Sequence, residues 1–328
     1  MPSLFRFITA LAPLFLFAFL PAPAPAAGMV SLTFDDGLAS VWREAYPVLK
    51  SRGLTATVAV ISRKLTSDDP DYMTPAEVHT LAAAGWEVAS HGLTHQHPVD
   101  VPQTLADEVL SGLVPAESGS PVLQVHYPWQ EVTVVLADGA ELKPEASYED
   151  MEQTPGSYYF DQTISELSVH PAAGPTRPGE LRAGSYEREL SQSKDELAAL
   201  GFATKAYIRP YNHWTRESMD LTRKYYDVVA TGGERPNRPG DFTPLDVARY
   251  NVLSTTQVAD VVTLIRREAK KNNAWVVLCL HGVEERLGWE PWPAARLAEL
   301  ADWLVKSGLP VVTLSQGAAR LAAESGAR

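Results

Sequence analysis

The sequence predicts an α/β fold built on parallel strands, and two features carry that prediction. Short apolar segments (29–34, 55–61, 86–90) alternate with helix patterns of about a dozen residues (41–52, 74–85), the rhythm of strands joined by helical crossovers. Polar clusters then break off the apolar segments at their ends, at Asp35-Asp36, at His91–His95 and at His281, where parallel folds carry their functional loops.

Taken in order, residues 29–34 read as a strand ending in Asp35-Asp36-Gly37, and the helix pattern 41–52 stops at Gly53. Thr74-Pro75-Ala76-Glu77 is a helix start, with Thr as N-cap, Pro at the first position and Glu at the third. That helix ends near Gly85, and strand 86–90 delivers His91. From 98 to 185 the alternation breaks into a stretch rich in Pro, Gly, Ser and Glu, with strands expected at 122–126, 131–136 and 158–163. So long a segment without structure is rare in a compact domain, so it reads as an inserted, mainly β subdomain. The α/β rhythm returns with helix 187–200, strands at 203–208, 228–231 and 274–280, helix 294–307 ending at Gly308, and a last strand at 310–314. The organisation expected is therefore a leader, 1–27, a domain made of 28–97 and 186–328, and an insertion, 98–185.

The leader has one positive charge, Arg6, before the apolar run 7–20, and then Ala24-Pro25-Ala26. This is the layout of a cleaved secretory signal, too short in its apolar part for a bilayer span. A secreted or periplasmic protein without a membrane anchor is expected. The net charge of −12 among 328 residues argues against nucleic acid as a partner, which demands a basic face. It permits a neutral or cationic glycan. The single cysteine, Cys279, lies in an apolar alternating run and reads as a buried small residue.

His91 and His95 stand four residues apart, so on a helical turn both imidazoles face one ion, and a carboxylate completes a common divalent-metal set. Two adjacent carboxylates repel unless they do different work; a metal on Asp36 leaves Asp35 free as a base. Trp289 and Trp292 offer flat apolar faces suited to sugars or to packing against the last helix. His97 reads as a bystander.

Thr33-Phe34-Asp35-Asp36-Gly37, Ser90-His91-Gly92-Leu93-Thr94-His95, Pro210-Tyr211 and Leu278-Cys279-Leu280-His281 resemble, in this order, the motifs of the polysaccharide deacetylase family, which includes chitin, peptidoglycan and acetylxylan deacetylases. The resemblance spans nearly all of the chain after the leader except 98–185. It implies a distorted (β/α) barrel with fewer than eight repeats, holding Zn2+ or a similar divalent ion on Asp36, His91 and His95. It also implies an acetylated glycan as substrate, with N-acetyl favoured over O-acetyl. Asp35 would be the general base, His281 the general acid, the Tyr211 N–H an oxyanion donor, and Leu280 and Pro210 part of the acetyl pocket.

The chain departs from the family where an arginine normally steers the base. Ile208 occupies that position and Arg209 stands one step along, on the opposite face of a strand. The family's Asp-Trp pair is absent, and Arg249 is the other candidate for the positive charge. These departures leave open a carbohydrate-binding protein without turnover, and a cyclic amide hydrolase is a third reading.

Overall fold

The protein was studied as a computed structural model, which describes residues 28–102, 107–172, 181–284 and 288–326. The leader expected at 1–27 lies outside the described residues. Eight parallel strands form one sheet: β1 (Met29–Phe34), β2 (Thr57–Val60), β3 (Glu87–Ser90), β4 (Ala206–Ile208), β5 (Val228–Thr231), β6 (Val247–Ala248), β7 (Tyr250–Asn251) and β8 (Trp275–Leu280). Their order is β6-β5-β4-β3-β2-β1-β8-β7. The edge strands β6 and β7 are separated in sequence by Arg249 alone, so one segment pairs with β5 through its first half and with β8 through its second. The sheet thereby closes on itself, a barrel in which seven chain segments make the wall.

Alternation along the strands divides the core. Val30, Leu32 and Phe34 of β1, with Val58, Val60, Val276, Leu278 and Leu280, face outward into a cluster completed by the surrounding helices. Met29, Ala59, Ala89, Ala206, Ile208, Ala230, Trp275 and Val277 face inward. Small alanines on four successive strands, β2 to β5, leave room for the Trp275 ring, whose Nε1 donates to Ser31 Oγ at 2.9 Å.

The lower end of the barrel, where strands begin, is covered by the helix Leu314–Gly326, whose Leu314, Ala318 and Leu321 join the inner cluster. Gly317 lies against the Trp275 ring so closely that a Cβ there would fall 2.4 Å from a ring carbon. The sequence reading expected a final strand at 310–314. Only Val311 pairs, as an isolated bridge to Val30, because the chain turns away at once into this helix. The capping box foreseen at Thr74 and Glu77 is present, with Thr74 N–H donating to Glu77 Oε2 at 2.8 Å.

Residues 108–172 and 181–183 form two further sheets, of five and four strands, around their own cluster of Val125, Tyr127, Val135, Leu142, Tyr158, Leu167 and Leu181. The strand expected at 131–136 begins later, at Val135–Ala137, and Glu166–His170 pairs antiparallel with Ser157–Asp161. This unit meets the upper rim of the barrel through Leu93 against Val134 and Leu136 and through an Arg63–Glu141 ion pair at 2.7 Å. No helix among the described residues is long and apolar enough to cross a membrane.

Candidate active site

The site forms at the upper end, where three strands stop. Asp35 continues the inward face of β1, its N–H donating to Leu280 O at 2.9 Å. Asp36 and Gly37 then take left-handed backbone, φ 71° and 74°, which swings the second carboxylate away from the first. A left-handed non-glycine residue is strained, and such strain is commonly retained where a side chain must be aimed.

His91 follows β3 and turns inward; its Nδ1 lies 2.7 Å from Ile208 O. The carbonyl can only accept, so Nδ1 carries the proton and Nε2 presents its lone pair. That lone pair faces Asp36 Oδ1 at 3.3 Å, and His95 Nε2 faces the same oxygen at 3.4 Å. Acceptors converging on one point call for a cation, either a proton or a metal ion. These donor atoms lie within 4.8 Å of one another, and two imidazoles with a carboxylate suit a divalent transition metal, so the residues present fit the group.

The loop bearing His95 is held from below. Glu189, 1% exposed on the helix Tyr186–Ala199, accepts the N–H groups of Leu93 and Thr94, each at 3.0 Å, and the Thr94 hydroxyl at 2.6 Å. Gly92 allows the approach, since a Cβ there would sit 3.0 Å from Glu189 Oε2. Burial raises the Glu189 pKa, and its hydrogen bonds with Thr94 and Leu93 only partly oppose this.

Asp35 is 2% exposed and lies outside the Asp36–His91–His95 group. Its Oδ1 receives Arg249 Nη1 at 2.7 Å, while Oδ2 has the Cys279 thiol at 3.6 Å and His281 Nε2 at 3.9 Å. Burial pushes this carboxyl up, but the charges of Arg249, His91 and His281 outweigh it and hold the pKa below the ordinary value. Arg249, fully buried in the gap between β6 and β7, also donates to Thr33 Oγ1 at 3.1 Å and to Asn212 Oδ1 at 2.5 Å. Burial lowers the His281 pKa more than Asp35 and Asp36 raise it.

Arg209 does not reach this group. Ile208 faces the lumen, so its successor points outward, to Ser218 Oγ at 3.1 Å and Thr222 Oγ1 at 3.0 Å. Between the two arginines left open by the sequence, Arg249 is the one at Asp35. Tyr211 and Asn212 are both left-handed, φ 57° and 53°, and the Tyr211 N–H makes no hydrogen bond among the described residues.

A cavity of about 390 Å3 opens over Asp35, Asp36, His91, His95 and His281, walled by Tyr211, Asn212, Asn251 and Trp289. Trp289 is 49% exposed, with its ring 5.0 Å from that of His281 and steeply inclined to it. Three expected pocket residues are elsewhere, a correction to the sequence reading. Leu280 points into the outer core, because the strand alternation that brings His281 inward turns its neighbour out. Trp292 is 1% exposed in that same core and donates to Thr256 O at 3.0 Å, and Pro210 is buried outside the lining. Asn212, Asn251 and Glu189 escaped the sequence reading; only Asn212 had a local signal, its place directly after Pro210-Tyr211.

Residues 23–111 match the family model for polysaccharide deacetylase. That stretch is similar to polysaccharide deacetylase sequence. It carries Asp35, Asp36, His91 and His95. A Bacillus subtilis protein bearing the name polysaccharide deacetylase YxkH is 32% identical over 71 residues, 22% of this chain and 25% of that protein, so the match spans a quarter of the relative. The chain is also similar to a family 4 carbohydrate esterase from Streptomyces lividans in complex with acetate, at 15% identity and TM-score 0.46 over 89% of this chain and 96% of that one. It is similar as well to a family 4 acetyl xylan esterase from Clostridium thermocellum, in complex with a cobalt ion, at 14% identity and TM-score 0.42 over 88% of each.

Proposed function

We propose that this protein is a metal-dependent hydrolase that removes acetyl groups from an extracellular or cell-wall polysaccharide, N-acetyl groups of an aminosugar first among them. The observation that carries this reading is the pairing of two carboxylates with different partners: Asp36 against two imidazole nitrogens, Asp35 against a buried guanidinium. A divalent ion such as Zn2+, held by Asp36 Oδ1, His91 Nε2 and His95 Nε2, would supply Lewis acidity and lower the pKa of water.

Asp35 is the base. Arg249 occupies Oδ1 and keeps the carboxylate ionised, which leaves Oδ2 to take the proton of the attacking water. The Tyr211 N–H, free of other acceptors among the described residues, donates to the oxygen on which negative charge develops. Asp35 passes that proton to His281 Nε2, 3.9 Å from its Oδ2, and His281 delivers it to the leaving nitrogen, so that water's proton ends on the amine as the amide C–N bond breaks. Trp289 offers a half-exposed ring to a sugar face at the cavity mouth. Residues 1–27 would direct the chain out of the cytoplasm, where such glycans lie.

The test is acetate release from a panel of acetylated chitooligosaccharides and acetylated xylan, before and after chelation. Turnover is expected on at least one glycan, lost with the chelator and restored by Zn2+, and His91→Ala should lose both bound metal and turnover. Undiminished activity in the chelated protein or in His91→Ala contradicts the assignment.

A further inference from the structure

A second cavity, of about 300 Å3, adjoins the first and shares Asp36, His95 and Tyr211 with it. It is lined further by Lys64, Tyr72 and Gln96, and by Glu131 from the unit that packs on the rim. A cleft continuous with the site, with phenol rings and an amide on its walls, has the make-up of a sugar subsite.

Its charges are not balanced. Lys64 is already engaged, with Asp69 Oδ2 at 3.2 Å and the Tyr72 ring centroid at 4.6 Å. Glu131 makes no ion pair among the described residues; its carboxylate has only the His97 N–H, at a long 3.5 Å. Burial, with the Asp100 charge adding to it, raises the Glu131 pKa, as expected of a half-buried carboxylate with no counter-charge. The nearby imidazole of His97 is engaged elsewhere, its Nδ1 3.5 Å from Asp100 Oδ2.

We infer that this cleft binds a sugar bearing a free, positively charged amine, with Glu131 as its counter-ion. The inference rests on the deacetylase reading above and deepens it. A glycan lying across both cavities would then place an already deacetylated aminosugar beside the acetylated one being cut. Each deacetylation would create the neighbour that the enzyme prefers, so partially deacetylated polymer is a better substrate than fully acetylated polymer, and progress curves on the latter accelerate after a lag.

Two measurements test this on the full chain supplied with Zn2+. Calorimetric titration with glucosamine tetramer should show binding that weakens about fivefold in Glu131→Gln and on raising the salt. It should be unchanged in Glu117→Gln, the same loss of charge at an exposed position away from the cleft. In acetate release, kcat/KM should be about fivefold higher for partially than for fully acetylated tetramer, and Glu131→Gln should bring that ratio toward one. Equal kcat/KM for the two substrates, or tetramer binding indifferent to Glu131, overturns the amine subsite while leaving the deacetylase reading intact. Glu131-dependent tetramer binding with no acetate released from either substrate sinks the deacetylase reading and leaves the amine subsite standing.

Discussion

Arg249 Nη1 lies 2.7 Å from Asp35 Oδ1, and neither side chain is more than 3% exposed. The arginine comes from the one residue that separates β6 from β7, so the segment closing the barrel also holds the carboxylate at the end of β1. It also donates to Thr33 on the same strand and to Asn212, which ties the segment after β4 to the same cation.

Removing Arg249 strands a buried charge. Arg249→Leu is expected to cost about 3–5 kcal/mol of stability, read as a fall in Tm. Arg249→Lys returns the charge without the second donor for Asn212 and should recover part of that loss. Asp35→Asn should retain bound metal by elemental analysis while kcat falls by about 100-fold to 10,000-fold. An Asp35→Asn variant with unreduced kcat would exclude Asp35 as the base.

Glu189 touches the His95 loop and none of the expected ligands, so it acts as a positioning residue. Its loss should show in metal affinity, by about 10- to 100-fold in Glu189→Ala, with the conservative Glu189→Gln recovering part. The pH dependence has a definite sign. The folded pKa lies above the ordinary 4.5, so the native state binds this proton more tightly than the unfolded chain does. The stability this contributes is complete below the unfolded value and is lost as pH rises through the folded one. The stability advantage of the parent protein over Glu189→Gln should therefore be larger at about pH 4 than at about pH 7, by paired thermal melts. An advantage that grows with pH would contradict the raised value.

The two tryptophans near His281 should separate cleanly. Trp289→Ala removes a half-exposed ring at the cavity mouth, so KM should rise about three- to tenfold with Tm unchanged. Trp292→Ala empties a fully buried site in the outer core and should cost about 3–5 kcal/mol of stability. Equal effects on Tm would refute the different placements.

Much of this arrangement was legible in the chain because it is written in local pattern. A period of two along β1, β4 and β8 specifies which residues face inward, and on β4 that alone turns Ile208 into the barrel and Arg209 out of it. The same rule turned against the sequence reading at Leu280. His281 faces the site, and its neighbour cannot. Trp292 stands three residues after Trp289, and no local pattern tells a wall of the cavity from a prop of the core.

What the sequence determined by itself is the set of strand ends that bear Asp35, Asp36, His91, His95 and His281, because alternation and apolar runs act over a few neighbouring residues. Tertiary structure alone decided that Arg249, 214 positions from Asp35, is its partner, that Glu189 braces the His95 loop from 95 positions away, and that Glu131 makes no ion pair among the described residues. Those contacts depend on how the barrel closes and how the inserted unit settles on its rim. Closure and docking are long-range events that no spacing along the chain encodes.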